Sequence, residues 1–417
     1  MIDTKLFLLI ILLMNNANTI SSFSSTKSVN SSSSHSNTSL NSQMQVPNLT
    51  IISSVTMYGI IFLIGFLANT LVIIVTLFNL ANQDSTSYLL LNLSLSDFLL
   101  ISICLPIAVL DLFSQEIWYL GEVMCKFIPW LEHTLAYTSI QTIVAISIER
   151  SIAIISPLKA KVFFTRKRLT MAVFCIWLAS TLASMPIMRS TIYMSSYHKL
   201  KAKHVNTCFI STREKWEMGY IFASIVLFYM LPCAVLFVLY GKTVCVVKKR
   251  AFKAASSENE PSRNKSSEYE IIRKSIRANL ARECTRKKQD ASRLSTTISD
   301  FLTRINTKRK TKRINEKHII MLLIVMILLI ALCHLPYRVF SIWASMATKE
   351  DLRRLGMVRY FNIVIFCRVT FYINSALNPI FYQIISSKFR SSIRLFFRTH
   401  KQKYNSQYNT SMTITRI

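Results

Sequence analysis

Seven stretches of near-continuous apolar sequence, at 51–78, 86–110, 126–149, 169–188, 218–241, 319–337 and 360–382, constrain the fold of this chain more than any other feature. The hydrocarbon core of a bilayer is about 30 Å thick and takes about 20 mostly apolar helical residues to cross. Inside it, every backbone N–H and C=O has to be satisfied within the segment, which selects helices. A soluble protein can bury one or two such runs, but seven in series predict an all-α membrane protein, a seven-transmembrane helix bundle. The charge balance agrees once it is divided along the chain. Fifty Lys+Arg against 20 Asp+Glu give a net charge of +30 in a sequence that is 51% hydrophobic. Basic residues between apolar runs reconcile the two figures, whereas a nucleic-acid-binding domain would not need so much apolar sequence. Nucleic acid is therefore not an expected partner. Six glycines speak against a dinucleotide-binding domain, and nine scattered cysteines without a CxxC pair speak against a metal site or a disulfide scaffold. No metal site is predicted.

The loop charges set an orientation. Segments 156–168, 248–317 and 383–417 hold 33 Lys+Arg, against 12 in 1–50, 189–217 and 347–359. The positive-inside bias places the first group in the cytoplasm and the N-terminus outside. Three N-x-S/T sequons, at Asn30, Asn37 and Asn48, fall on the side predicted to be extracellular and are candidate glycosylation sites. Three regions follow. Residues 1–50 combine a signal-like start (Lys5, then the apolar stretch 6–14) with a Ser/Asn/Thr-rich segment predicted to be disordered. Residues 51–383 form the transmembrane domain, including a long basic loop at 248–317 with 21 Lys+Arg against 8 Asp+Glu. That loop is expected to be mostly disordered, with basic helical extensions of its flanking spans and attraction to anionic lipid. Residues 384–417 form an amphipathic helix and tail. Phe389, Ile393, Phe396 and Phe397 alternate there with Lys388, Arg390, Arg394 and Arg398, the spacing of an interfacial helix.

Ionisable groups inside a membrane are expensive and mark function. Here they are Asp97, Glu132 and Arg368, with His133, His334 and Arg338 beside them. Asn69, Asp97, Ser139, Asn374, Ser375 and Asn378 lie at similar depth. Such a set can close on itself as a polar core, hold water, or bind a small cation. No cofactor is expected, apart from a sodium ion near Asp97 under the last alternative.

These residues stand in strings that resemble the rhodopsin-type (class A) G-protein-coupled receptors. The resemblance rests on Asn69, Asn92, Asp97, Cys125, Glu149-Arg150, Trp177, Pro232, Tyr240, Pro336, and Asn378-Pro379 with Tyr382, and covers about residues 51–400. Within the family, IERSIAIISPLKAK (148–161), LPYRVF (335–340) and SSKFRSSIRLF (386–396) are similar to neuropeptide receptors of the thyrotropin-releasing-hormone type. The resemblance implies a Cys125–Cys208 disulfide over the bundle mouth. It also implies a switch in which Arg150 pairs with Glu149 or with Glu316, while Tyr240, His334, Asn378, Pro379 and Tyr382 change state. The implied ligand site comprises Glu132, His133, Tyr337, Arg338 and Arg368. Internal pairing of Glu132 with Arg338 or Arg368 is expected in the empty state. Three departures stand out: Ser151 replaces the commoner Tyr, and His334 and Ile330 replace the usual aromatic toggle. His334 can either titrate near neutrality or stay a neutral, hydrogen-bonded core residue.

The implied function is a plasma-membrane receptor for a small peptide, with amidated peptides the first to screen. It acts on a heterotrimeric G protein, of the Gq class by resemblance alone, with arrestin and membrane lipids as further partners. Two rivals remain. An amine receptor would use Glu132 as counter-ion, although Arg338 and Arg368 disfavour a cationic ligand. A transporter or channel would show inverted repeats and helix-breaking glycines, which this chain lacks.

Overall fold

A computed structural model describes residues 48–78, 85–114, 117–198, 203–212, 214–259, 320–321, 324–385, 389–399 and 402. Helix α1 is Asn48–Phe78 and α2 is Ser85–Ser114. Helix α3 is Gly121–Ile155, followed by the short α4, Pro157–Phe163, and by α5, Arg166–Ser190. Strands β1 (Thr191–His198) and β2 (Lys203–Ile210) follow. Helix α6 runs from Lys215 to Asn259. Helix α7 is Ile324–Met346, α8 is Lys349–Leu355, α9 is Met357–Ile385, and α10 spans 389–399. Seven of these (α1, α2, α3, α5, α6, α7 and α9) are long and apolar enough to cross a membrane, and the amphipathic α10 is an eighth helix outside them.

Each described span contains the whole of its apolar run, except α7, whose described part starts at Ile324 rather than 319 and ends at Met346 rather than 337. Helix α1 begins three residues before the expected boundary at 51, and α2 continues through Asp111 to Ser114. An apolar window closes at the first charge, but a helix need not, because end charges can reach polar surroundings or a partner. Helix α6 extends to Asn259, as the expected basic extension of the fifth span. The sequons Asn30 and Asn37, the signal-like start, the remaining loop to 317 and Glu316 lie outside the described residues. Asn48 is the first residue of α1.

Helix α3 is the hub: it touches α2, α5 and α6, while α1 packs on α2 and α9. One apolar cluster joins Tyr58, Ile101, Leu135, Val369, Tyr372 and Ala376 across α1, α2, α3 and α9. A second joins Leu93, Ile143, Tyr229, Leu236, Met326 and Ile330. Ile330 is thus wholly buried aliphatic packing where an aromatic is usual in the family it resembles. Both Pro106 in α2 and Pro232 in α6 are preceded by a π turn, Leu100–Cys104 and Val226–Met230. Proline supplies no N–H to the turn before it, and a widened turn is one way to absorb the loss.

Gly65 of α1 sits where α1, α2 and α9 meet. A Cβ there would collide with Ile101 Cδ1 and lie 3.2 Å from Ala376 Cβ and 3.3 Å from its Cα. Small residues at such crossings let membrane helices approach closely. Gly65→Val is expected to destabilise the bundle by about 1–3 kcal/mol through overpacking. A lower melting temperature of the detergent-solubilised protein is the expected reading, and an unchanged one would show that α1 can move aside.

Within the loop 189–217, β1 and β2 pair antiparallel, with Tyr193 facing Cys208. Cys208 is disulfide-bonded to Cys125 near the start of α3, with Cα atoms 5.7 Å apart. The Trp118 N–H donates to the Asn206 carbonyl at 2.8 Å. The hairpin is thus fixed at two points beside the same end of the bundle. Among the described residues the other cysteines (Cys104, Cys175, Cys233, Cys245, Cys333 and Cys367) are free. At the opposite end, α10 lays Phe389 against Val72 and Val75, and Phe396 meets Phe78 edge-on at 5.2 Å.

Candidate functional site

The end of the bundle beneath the hairpin gathers the predicted ligand residues from α3, α7 and α9. Their pairing differs from the expectation that Glu132 binds Arg338 or Arg368. Arg368 Nη1 instead donates to Asp111 Oδ2 at 2.8 Å, and Glu132 Oε1 accepts from the Tyr372 hydroxyl at 2.8 Å. Asp111, which sequence reasoning did not single out, is the direct partner of Arg368. It was missed because it follows the apolar run 86–110 by one residue and reads as a loop charge. The α2 helix carries it one turn further, facing α9. An acid just past the end of one span and a lone cation inside another was the available signal.

His133 and Tyr337 form a second group. His133 Nδ1 lies 2.8 Å from the Pro129 carbonyl, which can only accept, so Nδ1 carries the proton. Nε2 is then the acceptor, and the Tyr337 hydroxyl stands 3.4 Å from it. The Tyr337 ring also contacts Phe371, with centroids 5.8 Å apart.

Arg338 is the outlier. It is only 4% exposed, its Nε has no hydrogen-bond partner, and no carboxylate pairs with it among the described residues. Its guanidinium lies 5.7 Å from the ring centroids of Tyr137 and of Tyr337. Aromatic faces attract a cation but do not neutralise it. One turn earlier on α7, His334 is 2% exposed, and neither ring nitrogen has a hydrogen-bond partner. Its ring meets Phe371 edge-on at 5.3 Å. The expectation of a hydrogen-bonded core histidine is therefore corrected: His334 is buried in aromatic packing with both nitrogens unsatisfied. Buried polar atoms without partners are rare in folded proteins, and two neighbouring side chains on one helix that carry three call for an external acceptor, donor or water.

The mid-depth residues do assemble. Asp97 accepts from the Ser139 hydroxyl at 2.9 Å and from Asn378 Nδ2 at 2.8 Å. Asn69 Nδ2 donates to the carbonyls of Gly65 and Ser375 at 2.9 and 3.1 Å. The amide oxygens of Asn69, Asn374 and Asn378 are buried without partners. Asn92, flanked by Trp177 and Thr142 at 2.8 Å each, ties α2 to α3 and α5.

At the inner end, Arg150 Nε pairs with Glu149 Oε2 at 3.2 Å, and the same carboxylate accepts from the Thr86 hydroxyl at 2.8 Å. Arg250 of α6 donates to the carbonyls of Ile154 and Ile155 at 2.8 and 3.0 Å, joining the extension of α6 to the last turn of α3. Tyr240 is half-buried on the inner part of α6. Pro379 lies inside α9, as does Tyr382, whose side chain is outside the described set, and so is the expected Arg150–Glu316 contact. Among the described residues no three His, Cys, Asp or Glu side chains are grouped to hold a metal ion.

Comparison with known proteins adds the context for this arrangement. Residues 68–382 match the family described as 7 transmembrane receptor (rhodopsin family). The chain is 26% identical to the neuromedin-U receptor 2 of Homo sapiens over 361 residues, covering 85% of this chain and 74% of that protein. It is 26% identical to the cholecystokinin receptor type A of Homo sapiens over 343 residues, covering 80% and 78%. A galanin-like G-protein coupled receptor, npr-9, of Caenorhabditis elegans is 26% identical over 354 residues, covering 84% and 73%.

Proposed function

Because the chain belongs to the rhodopsin family of seven-transmembrane receptors, we propose that it is a plasma-membrane receptor for a small neuropeptide. The family is one of receptors, not enzymes. The N-terminus is extracellular in this reading, the sequons are glycosylated, and the ligand enters beside the hairpin and α3. Arg338 carries the proposal, as a buried cation with an unsatisfied Nε and no carboxylate partner among the described residues. A peptide carbonyl, terminal amide or carboxylate is the complement of such a group. An amine ligand would add a second cation beside it. The relatives named for peptide ligands support the same choice. Glu132, His133, Tyr337 and Arg338 form the ligand-facing set, and Arg368 acts through its bond to Asp111.

Ligand binding shifts a two-state bundle whose inner face engages a heterotrimeric G protein, and arrestin after it. Glu149, Arg150, Glu316, Tyr240, His334, Asn378, Pro379 and Tyr382 form the switch in this reading. Gq coupling and the likeness to the thyrotropin-releasing-hormone type rest on residue resemblance. The test is calcium release in cells expressing the receptor, screened with amidated peptides and with amines, alongside ligand-free current recordings. Peptide-evoked release without currents is the expected outcome, and cells silent to peptides but responsive to an amine would overturn the proposal.

Sodium is proposed as an allosteric ion at the mid-depth cluster. The Asp97 carboxylate, the Ser139 hydroxyl and the unpartnered amide oxygens make an all-oxygen donor set suited to a hard cation. Replacing choline with sodium chloride should lower agonist affinity about ten-fold, within the usual range of allosteric coupling. Asp97→Asn should abolish the difference, and retention of the full sodium effect in that variant would exclude the site.

A further inference from the structure

Outside the ligand cluster and the polar core, one cavity has no part in either. It measures about 240 Å3 and is lined by Ile152, Ile155, Ser156, Lys159 and Phe163, between the last turn of α3 and the short helix α4. That is far more than the about 30 Å3 taken up by one water, but Ser156 and Lys159 are the only polar side chains to hold water there. Its surroundings are apolar and outward-facing: Leu158 is 83% exposed, Val162 66% and Phe163 56%.

The rim is cationic. Besides Lys159 itself, Arg168 stands 5.9 Å from the Phe163 ring centroid and donates to the Val162 carbonyl at 3.1 Å. Arg250 bonds the carbonyls of Ile154 and Ile155. The whole segment 156–168 has five Lys+Arg and no Asp or Glu. An apolar cleft at the end of a membrane span, ringed by fixed positive charge, is complementary to a molecule with one anionic end and one hydrocarbon end.

We propose that this cavity binds an anionic phospholipid of the membrane leaflet it faces, with the acyl chain among Ile152, Ile155 and Phe163 and the headgroup phosphate against Lys159 and Arg168. Lysine and arginine stems lie along apolar surface while their heads reach the phosphate level, which is the geometry a headgroup site needs. The site goes beyond the receptor reading, and rests on it only for the identity of the leaflet, which is cytoplasmic if the N-terminus is outside.

The test uses the full-length receptor in nanodiscs of phosphatidylcholine doped with phosphatidylserine that carries a photoreactive diazirine on its acyl chain. Phosphatidylcholine with the same chain is the control probe, and labelled peptides are mapped by mass spectrometry. The serine lipid is expected to label 150–165 in preference to the choline lipid. Lys159→Gln and Arg168→Gln should each lower that label about five-fold, the effect of one cation at an anionic surface. Ile155→Trp, which fills the cavity, should remove the label there while leaving labels elsewhere unchanged. Equal labelling by both probes, or labels unmoved by all three variants, would reduce the site to ordinary boundary lipid. Protection of this stretch by added G protein, with no preference for the serine lipid, would overturn it in favour of a protein occupant. Lys159 and Arg168 are exposed, so their variants keep the fold. Both leaflets of the disc carry the same lipid, so the result does not depend on orientation. Antibody access to an N-terminal epitope on intact cells tests that orientation separately.

Discussion

Arg338→Leu is expected to make the ligand-free receptor more heat-stable and, at the same time, to cost it at least about 30-fold in peptide potency. The two effects have one origin. A charge taken out of water without a partner carries a desolvation penalty of several kcal/mol, and even a buried ion pair replaced by apolar residues is often neutral or stabilising by about 1–4 kcal/mol. The compensation visible at Arg338 is two aromatic faces, Tyr137 and Tyr337. Each contact is worth about 0.5–2 kcal/mol, which does not cancel the penalty, so a net gain of about 1–2 kcal/mol is expected. Against this, losing one member of a buried charge-assisted contact with a ligand costs about 2–5 kcal/mol, and the lower figure is already about 30-fold. Arg338→Lys keeps the charge but loses the planar fork, so it should recover part of the potency. Unchanged potency in Arg338→Leu, or a parallel fall in melting temperature and potency, would show Arg338 to be a structural residue and remove the main support for an acceptor-bearing ligand.

The sequence was most informative where one side chain type does one physical job. Seven apolar runs in series pointed to membrane-spanning helices, and the described residues of all seven are helical. Phe389 and Phe396, seven residues apart among cations, announced an interfacial amphipathic helix, and in the fold they pack on Val75 and Phe78 of α1. Asp97, Ser139 and Asn378 were grouped by depth, and Ser139 and Asn378 both donate to the Asp97 carboxylate. Cys125 and Cys208 needed the family resemblance to be paired, since spacing alone says nothing about which thiols meet.

What stayed hidden depended on cross-helix geometry. The π turns before Pro106 and Pro232 shift the helix phase by a fraction of a turn, which a hydrophobic pattern in a mostly apolar segment does not register. The partner of Arg368 depended on the rotation of α2 against α9. Depth placed Glu132 as near as any acid, yet the carboxylate that meets the guanidinium belongs to Asp111. The short helix α4 was also invisible, because seven residues of mixed Lys, Ala, Val and Phe carry no period long enough to count. Its meeting with α3 creates the cavity with a cationic rim described above.

Arg368 is therefore expected to behave as a folding residue first and a ligand residue second. Taken from the sequence alone, Arg368→Ala should lower peptide potency much more than surface expression. With Asp111 at 2.8 Å, the same substitution leaves a carboxylate without its cation and exposes Glu132, which Arg368 also faces electrostatically, to a second negative charge. Breaking a buried pair by removing one partner costs about 3–5 kcal/mol. Here the two side chains are 32% and 33% exposed, so partial solvation reduces the expectation to about 1–3 kcal/mol. Asp111→Ala should cost a similar amount, since it strands the guanidinium instead. The double variant should be less damaged than the sum of the singles, by a coupling of about 1–3 kcal/mol for groups in direct contact. Arg368→Lys, which keeps the charge that faces Asp111, should sit close to wild type in melting temperature. The measurement is surface expression and melting temperature for all four variants, with peptide potency corrected for expression. A bare loss of potency in Arg368→Ala at wild-type stability, or a double variant as unstable as the two singles added together, would mean that the Asp111–Arg368 contact does not support the bundle. Arg368 would then return to the ligand-binding set alongside Arg338.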